Sequence, residues 1–281
     1  MLKITAPAKI NLTLEVLGKR PDGFHEIRSI LQSVSLGDVL HFRLDQQLTF
    51  KSDSPDWSAE KSLVVKAVNQ LKEATGCLKG VTIEVAKRIP LASGLGGDSS
   101  DAAAVLRGLD ELWGLKLSRE ELLEIAASLG SDVAFFLYGG TALAEGRGEV
   151  VTPLPPLPDR WSVLMVPSVP ELSGKTKQLY ASLKQGHYTD GQVTERLVKV
   201  LKEGRDFQPS LLFNTFENVA FDKFSGLKVY KEHIIKLGAP HVHLAGSGPT
   251  LFTMFEDRAQ AQDLYTRCRQ QGIEAYLVET V

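Results

Sequence analysis

Cysteine is scarce in this sequence of 281 residues, which contains only Cys77 and Cys268. The two lie far apart along the chain and match neither the spacing of a zinc site nor that of a disulfide framework. We therefore expect two reduced thiols in a reducing compartment.

Long apolar runs are also lacking. No stretch approaches the roughly 20 residues that a membrane-spanning helix requires, and the first residues, Met1 to Lys9, have no apolar core of the kind found in a signal peptide. We expect a soluble protein of the cytoplasm that has no membrane partner.

An excess of positive charge is missing as well. The chain has 32 Lys and Arg against 34 Asp and Glu, a formal net charge of -2, so it offers no basic field for a phosphodiester backbone and nucleic acid is not an expected partner. The hydrophobic fraction of 43% is ordinary for a globular protein. The length exceeds that of a usual single domain, which favours two domains sharing a cleft.

Several common catalytic motifs are absent. The sequence contains no Walker loop, no protein-kinase His-Arg-Asp or Asp-Phe-Gly triplet and no Gly-x-Ser-x-Gly elbow. A dinucleotide-binding loop would need glycine where Ser99 stands, and His25-Glu26 lacks the second histidine of a zincin. These absences exclude the corresponding hydrolase and metalloprotease classes and rank a dinucleotide-dependent oxidoreductase low.

Periodicity predicts an α+β chain. Alternating apolar and polar residues predict strands at Ile10 to Val16 and around Leu40 to Leu44, and helical spacing predicts a helix from Leu63 to Leu71 that ends before Gly76. The same reasoning predicts further elements in the first half: a strand at Val81 to Val85, a helix at Ala102 to Trp113, and a helix opened by a Ser118–Glu121 capping box and ended by Gly130.

Four prolines between residues 153 and 158 predict a domain boundary, because neither a helix nor a central strand tolerates them. We place the two domains at residues 1–156 and 157–281. The predicted elements of the second are a strand at Trp161 to Val166, helices between residues 175 and 237, strands at His241 to Ala245 and Thr250 to Phe255, a helix at Arg258 to Gln271 and a strand at Ala275 to Val278.

The run Gly94-Leu95-Gly96-Gly97-Asp98-Ser99-Ser100 lies between a predicted strand and a predicted helix. Glycines allow close approach of the backbone to an anion, the free amides of a helix start attract phosphate, and the two serines add hydroxyl donors or a magnesium ligand. A tight turn capped by serine is the simpler alternative, but it would need one glycine rather than three. The run therefore favours a phosphate-binding loop.

Three segments in order resemble the motifs of the GHMP small-molecule kinases: residues 7–12, 90–103 and 245–250. Two more, residues 18–26 and 129–136, resemble the branch of that family that phosphorylates 4-diphosphocytidyl-2-C-methyl-D-erythritol on the non-mevalonate route to isoprenoids. The resemblance spans almost the whole chain and is thinner between residues 185 and 240. It implies transfer of a phosphoryl group from ATP to the 2-hydroxyl of this small-molecule substrate, with Mg²⁺ as the accompanying ion.

The resemblance also implies a fold. The expected architecture is a two-domain α+β structure whose N-terminal domain carries a left-handed βαβ unit, against the usual handedness. A ferredoxin-like α/β sandwich follows, with the active site in the cleft between the domains.

Catalytic roles carry over to Asp132, which would accept or orient the hydroxyl proton, and to Lys9, which would stabilise the carboxylate or the developing charge. In isolation, Lys9 would be assigned to the surface and Asp132 to a helix cap. Their positions inside matched motifs reverse both assignments.

Binding roles carry over position by position. The resemblance places the nucleotide on Lys87, Pro90, Leu91, Ala92, Ser93, Gly94, Leu95, Gly96, Gly97, Asp98, Ser99 and Ser100. It places the substrate on Asn11, Phe24, His25, Thr176, Tyr180, Gly246, Ser247 and Gly248. Phe24 and Tyr180 would stack on the cytosine ring and His25 would hydrogen-bond to its edge, although Phe24 stands where the family commonly has tyrosine. Ser62 takes a position near adenine where the family often has asparagine.

Asp98 departs from the family, which commonly has glycine at this position. A carboxylate suits a helix start but repels phosphate, so we expect an outward-facing cap, with metal contact as the alternative. Two alternative functions stay open: a homoserine-type or mevalonate-type kinase, which would not need the Asp22-Gly23-Phe24-His25 segment, and a catalytically silent nucleotide-binding protein. A monomer or weak homodimer is expected.

Overall fold

A computed structural model describes all 281 residues. The strands are β1 (Leu2–Lys19), β2 (His25–Asp45), β3 (Leu48–Ser52), β4 (Gly80–Ala86), β5 (Thr141–Gly146), β6 (Val150–Pro153), β7 (Trp161–Val166), β8 (Phe213–Asn214), β9 (His243–Leu244), β10 (Leu251–Phe255) and β11 (Glu274–Glu279). The α-helices are α1 (Leu63–Thr75), α2 (Gly97–Trp113), α3 (Arg119–Leu129), α4 (Val133–Tyr138), α5 (Lys175–Ser182), α6 (Gln192–Lys202), α7 (Glu217–Lys223), α8 (Leu227–Lys236) and α9 (Arg258–Gln270). None of the helices combines the length and apolar character that a bilayer-spanning segment needs.

The chain forms two compact units that interleave along the sequence. The first unit consists of residues 1–8, 36–91 and 96–139, and the second of residues 9–35, 92–95 and 140–281. Strands β1 and β2 run through both. These units and the sequence-based division at residue 156 describe different groupings, and the division stays a prediction.

The first unit is a sheet covered by helices. Its strand order is β3-β4-β2-β1, in which β3 and β4 are parallel neighbours joined by α1 and therefore form a βαβ unit. Helix α2 packs closely on the sheet at Gly108, where a Cβ atom would lie only 2.8 Å from the Phe42 ring and 3.0 Å from Ile4. The handedness of the βαβ unit stays a prediction.

The second unit holds two groups of strands. In one, β1 pairs in parallel with β8, β2 lies beside β1 and pairs with β5, and β5 pairs with β6. The other is a four-stranded antiparallel sheet of order β11-β7-β10-β9. Its core includes Val163, Met165, Leu251, Leu264 and Ala275, which places α9 against this sheet as expected for an α/β sandwich.

Most predicted elements of the chain are present. The capping box of α3 is complete, with Glu121 N–H donating to Ser118 Oγ and the Glu121 carboxylate accepting from Ser118 N–H, and Gly76 and Gly130 cap α1 and α3. Several elements differ in length. Strands β1 and β2 extend well beyond the predicted strands at Ile10 to Val16 and around Leu40 to Leu44. Helix α2 begins at Gly97 rather than at Ala102, and the strand predicted from His241 to Ala245 shortens to the two residues that pair with β10.

Candidate active site

The glycine run has the backbone of an anion-binding loop. Between β4 and α2, Ala92, Gly94 and Gly96 have φ of 50°, 91° and 77°. Gly96 is the N-cap of the 17-residue helix α2, and no side chain caps the helix. The first amides of α2 are therefore available to a ligand, and the helix dipole favours a negative one.

The loop lies against the Gly246-Ser247-Gly248 turn within the second unit. A Cβ atom on Gly94 would lie 2.3 Å from the Ala245 carbonyl oxygen and 2.9 Å from Gly248 N. Thr250 N–H donates to the Ser93 carbonyl at 3.2 Å. Glycine at position 94 is therefore required by backbone-to-backbone contact with the turn. Two of the three motifs meet here.

Lys9 and Asn11 belong to the same cluster. Lys9, only 4% exposed, donates from Nζ to Asn11 Oδ1 at 2.8 Å, and Asn11 Nδ2 donates to Ser29 Oγ at 2.8 Å. A Cβ atom on Gly246 would lie 3.1 Å from Lys9 Nζ. Both ends of the Asn11 amide are thus used within the protein, which favours orientation of the Lys9 ammonium. Direct contact of Asn11 with substrate stays a prediction.

Asp132 stands at the N-cap position of α4 in the first unit, two residues after Gly130 ends α3. Its side chain makes no capping hydrogen bond to α4. Asp132 therefore lacks the side-chain hydrogen bond of a helix-capping residue. Its role as a proton acceptor stays a prediction.

Lys87 lies in a buried ion cluster. Its Nζ contacts Asp38 Oδ2 and, at 2.8 Å, Asp101 Oδ2, and the exposed fractions of the three side chains are 6%, 0% and 0%. Burial opposes the charge of Lys87, but the Asp101 and Asp38 carboxylates outweigh it and raise the pKa of the ammonium. A Lys87 that reached a phosphate would leave two buried carboxylates unpaired, at a cost of several kcal/mol. The structure therefore gives Lys87 a structural role, and its predicted contact with nucleotide would require this cluster to open.

Asp98 faces a neighbouring helix rather than capping its own. Its carboxylate accepts from Ser62 Oγ at 2.7 Å and from Leu63 N–H at 3.1 Å, while Ser62 Oγ accepts from Val64 N–H. The expected cap is present, but it serves α1. Ser62, which we placed near adenine, uses its hydroxyl in the same cap.

We expect Asp98→Ala to lower the free energy of unfolding by about 1 kcal/mol, because α1 loses a charged acceptor at its N-terminus. Denaturant unfolding measures the change, and Asp56→Ala, an exposed carboxylate of the same unit, is the matched control. A shift in the Mg²⁺ dependence of the rate, with unchanged stability, would instead identify Asp98 as a metal ligand.

The predicted cytidine-binding residues are only partly together. The His25 ring stacks on Tyr180, with ring centroids 4.5 Å apart and an interplanar angle of 16°, and the Tyr188 hydroxyl lies 3.5 Å from His25 Nε2. Phe24 lies outside this stack, 53% exposed, with the Arg147 guanidinium 4.9 Å from the centre of its ring. The predicted pair of rings around a base is therefore not formed in this structure.

His25 is set up as a neutral ring. Burial, followed by the positive charge of Lys19, holds the pKa of His25 below its ordinary value. A neutral imidazole offers one donor and one acceptor, which suits the polar edge of a pyrimidine. The remaining predicted substrate residue, Thr176, has its hydroxyl 2.9 Å from Ser247 Oγ and so joins α5 to the glycine turn.

Three residues near these clusters escaped sequence reasoning: Arg147, Tyr188 and Lys175. The first two contact predicted residues across more than 120 positions of sequence. Lys175 donates from Nζ to the carbonyl oxygens of Ala92 and Gly248. Its only signal was its place beside Thr176.

Family comparisons cover both halves of the chain. Residues 62–140 match the model described as GHMP kinases N terminal domain, and residues 195–274 match GHMP kinases C terminal. A protein of Dehalococcoides mccartyi named 4-diphosphocytidyl-2-C-methyl-D-erythritol kinase is 50% identical over 281 residues, 100% of this chain and 99% of the relative. A protein of Geobacillus kaustophilus with the same name is 39% identical over 95% of this chain and 93% of its own length.

Solved structures agree with the sequence relatives. A crystal structure of 4-(cytidine 5'-diphospho)-2C-methyl-D-erythritol kinase superposes with a TM-score of 0.83 at 32% identity, covering 99% of each chain. Homoserine kinase from Cytophaga hutchinsonii, with a TM-score of 0.70 at 21% identity over 100% of this chain and 94% of its own, shares the fold. The two-domain α+β fold is thus confirmed, and the chain belongs to the GHMP kinase family, among the 4-diphosphocytidyl-2-C-methyl-D-erythritol kinases.

Proposed function

We propose that this chain transfers the γ-phosphoryl group of ATP to the 2-hydroxyl of 4-diphosphocytidyl-2-C-methyl-D-erythritol, forming the 2-phosphate and ADP. The observation that carries the proposal is the cluster in the second unit, where Lys9 is buried, oriented by Asn11, and packed beside the glycine turn. Such a cation, held in one position, stabilises charge that develops on a transferring phosphoryl group.

The reaction assigns a role to each cluster. The substrate 2-oxygen forms a bond to the γ-phosphorus while the bond from that phosphorus to the β,γ-bridging oxygen breaks, and ADP leaves with the electron pair. Asp132 accepts the hydroxyl proton, and Lys9 stabilises the charge on the phosphoryl oxygens. The amides of Gly97 to Ser99 at the start of α2 bind nucleotide phosphate.

Mg²⁺ fits this site through few protein ligands. The chain has no group of three or more His, Cys, Asp or Glu side chains that could hold a metal, but an ion that accompanies a nucleotide takes most of its ligands from phosphate and water. Ser100 Oγ is buried at the start of α2 and has no hydrogen-bond partner. We propose that Ser100 holds the ion, which when bound neutralises phosphate charge.

The cytidine end of the substrate is assigned to Phe24, His25 and Tyr180. In this proposal the base replaces the His25 ring on Tyr180, and the imidazole turns to hydrogen-bond to the pyrimidine edge. The neutral state of His25 and the exposed face of Phe24 support the assignment. Homoserine-type and mevalonate-type substrates have no ring to fill this cluster.

Release of ADP from purified protein with ATP and Mg²⁺ tests the function. Turnover is expected with 4-diphosphocytidyl-2-C-methyl-D-erythritol and not with mevalonate or homoserine. Methylerythritol 4-phosphate, which lacks cytidine, is the matched control for the base-binding cluster. Turnover of mevalonate or homoserine without turnover of the cytidine substrate would overturn the proposal.

We expect Phe24→Ala to weaken binding of the cytidine substrate by about 1 to 3 kcal/mol, because one stacking face is lost. Calorimetry measures the change, and the affinity for an ATP analogue should not move. Phe24→Tyr keeps the face and should bind as the wild type does. Equal affinity of Phe24→Ala and wild type for the cytidine substrate would remove Phe24 from the site.

Three further assignments accompany this function: the domain boundaries, the oligomeric state and the location in the cell. We propose domains at residues 1–156 and 157–281, a division supported by the two family models, which fall on either side of it. We also propose a monomer or weak homodimer in the cytoplasm. Sedimentation at micromolar concentration measures the oligomeric state.

A further inference from the structure

Lys175 joins the two glycine segments of the second unit. It is the first residue of α5, after Gly174, whose φ of 61° turns the chain into the helix. Its Nζ donates to the Ala92 carbonyl of the phosphate-binding loop at 2.7 Å and also to the Gly248 carbonyl of the glycine turn. One side chain thus bridges the loop and the turn through backbone atoms.

The positive charge of the Lys175 ammonium is only weakly compensated by negative groups of the protein. Its hydrogen bonds go to neutral carbonyls, and it forms no ion pair with a carboxylate. Burial, followed by the positive charge of Lys9, lowers its pKa to about 8, against the weaker effect of Glu171. No other charged group contributes from the loop, the turn or α5. A group of this kind is stabilised when an anion arrives beside it.

We propose that Lys175 is a further phosphate-binding residue of this kinase: its ammonium takes an oxygen of a bound diphosphate while it holds the phosphate-binding loop to the Gly246-Ser247-Gly248 turn. The proposal rests on the function proposed above. The diphosphate comes from the nucleotide or from the cytidine-linked substrate, since both carry one. Lys175 donates one hydrogen bond to Ala92, in the segment assigned to the nucleotide, and one to Gly248, in the segment assigned to the cytidine substrate.

Proton linkage gives the proposal a signature. An anion beside the Lys175 ammonium raises its pKa, so the complex holds more protons than the free protein near pH 8. Binding at pH 8 therefore takes up about half a proton, since a group with a pKa of about 8 is half protonated before binding and nearly fully protonated afterwards. Affinity correspondingly falls as the pH rises above 8, by at most about tenfold per unit.

Calorimetry in two buffers of different ionisation enthalpy measures this uptake. One arm uses a non-hydrolysable ATP analogue with Mg²⁺ and the other uses CDP, each titrated into the full chain at pH 8. In one arm, we expect Lys175→Met to lose the uptake of about half a proton and to bind at least tenfold more weakly than the wild type. The arm in which this occurs identifies the source of the diphosphate. Lys177→Met, an exposed lysine of the same helix, should behave as the wild type does.

Lys175→Arg separates charge from folding. Its guanidinium keeps the positive charge but does not titrate near pH 8, so binding should persist without the proton uptake, and this variant serves if Lys175→Met is unstable. Equal proton uptake in wild type, Lys175→Met and Lys175→Arg in both arms would overturn the proposal. Failure of the proposed function would look different, because the wild type would not turn over the cytidine substrate while the uptake with a nucleotide would remain.

Discussion

Asp132→Asn is expected to lower kcat by about 10²- to 10⁴-fold, the usual contribution of a positioned general base. The amide keeps the size of the carboxylate but cannot accept the hydroxyl proton. The Asp132 side chain makes no capping bond to α4, so the substitution removes no capping hydrogen bond from that helix. Affinity for an ATP analogue should stay close to that of the wild type.

Single-turnover kinetics measures the chemical step in this variant apart from product release. The matched control is Asp56→Asn, an exposed carboxylate of the same unit, which should turn over at the wild-type rate. Circular dichroism and thermal unfolding check the fold of both. Wild-type turnover by Asp132→Asn would remove the residue from the mechanism.

The second large effect is expected for Gly94→Ala, which should lower kcat/KM for both substrates by about 100-fold, the effect of moving reacting groups by roughly 1 Å. The new Cβ atom would lie 2.3 Å from the Ala245 carbonyl oxygen and 2.9 Å from Gly248 N. Both are backbone atoms, so neither can rotate away as a side chain would. The phosphate-binding loop must therefore separate from the glycine turn.

Gly204→Ala is the matched control for Gly94→Ala. Gly204 also has a positive φ, 62°, but no atom lies within 4 Å of an added Cβ. It should show only the cost of a left-handed backbone, about 1 to 2 kcal/mol of stability, with steady-state rates unchanged. If Gly94→Ala retained wild-type kcat/KM as well, the close approach of loop and turn would have no part in catalysis.

Local sequence signals predicted most of the helices and strands, because capping residues and apolar periodicity act within a single element. The Ser118–Glu121 capping box spans three positions, and the strand at Trp161 to Val166 has the bounds that its apolar run predicts. The early start of α2 was missed because Gly97 to Asp101 are poor helix formers. In the folded chain, Asp101 is buried with Lys87 and Ser100 is buried beside it, so packing outweighs propensity.

In the candidate site, by contrast, several contacts join residues that lie far apart in the sequence, and sequence reasoning did not predict them. Motif resemblance selected Lys9, Asn11 and Gly246, and the structure places these three together. It did not reveal that Lys87 pairs with Asp38, 49 positions away, or that Asp98 caps a helix that begins 35 positions earlier. Lys175 was overlooked for a different reason. Its partners are backbone carbonyls, which every residue has, so no sequence pattern identifies them.

In the proposed site, where cytosine stacks on Tyr180, the His25 ring that occupies this position in the structure is an intramolecular competitor of the base. A tethered ring has a high effective concentration at its own position, and displacing it costs the energy of one aromatic pair, about 0.5 to 1.5 kcal/mol. A base restores that energy when it takes the place of the imidazole. A phosphorylated ligand without a ring leaves the His25–Tyr180 stack closed and incurs no such cost, so in the proposed site the preference for cytidine must come from the other contacts of the base, such as a hydrogen bond to His25.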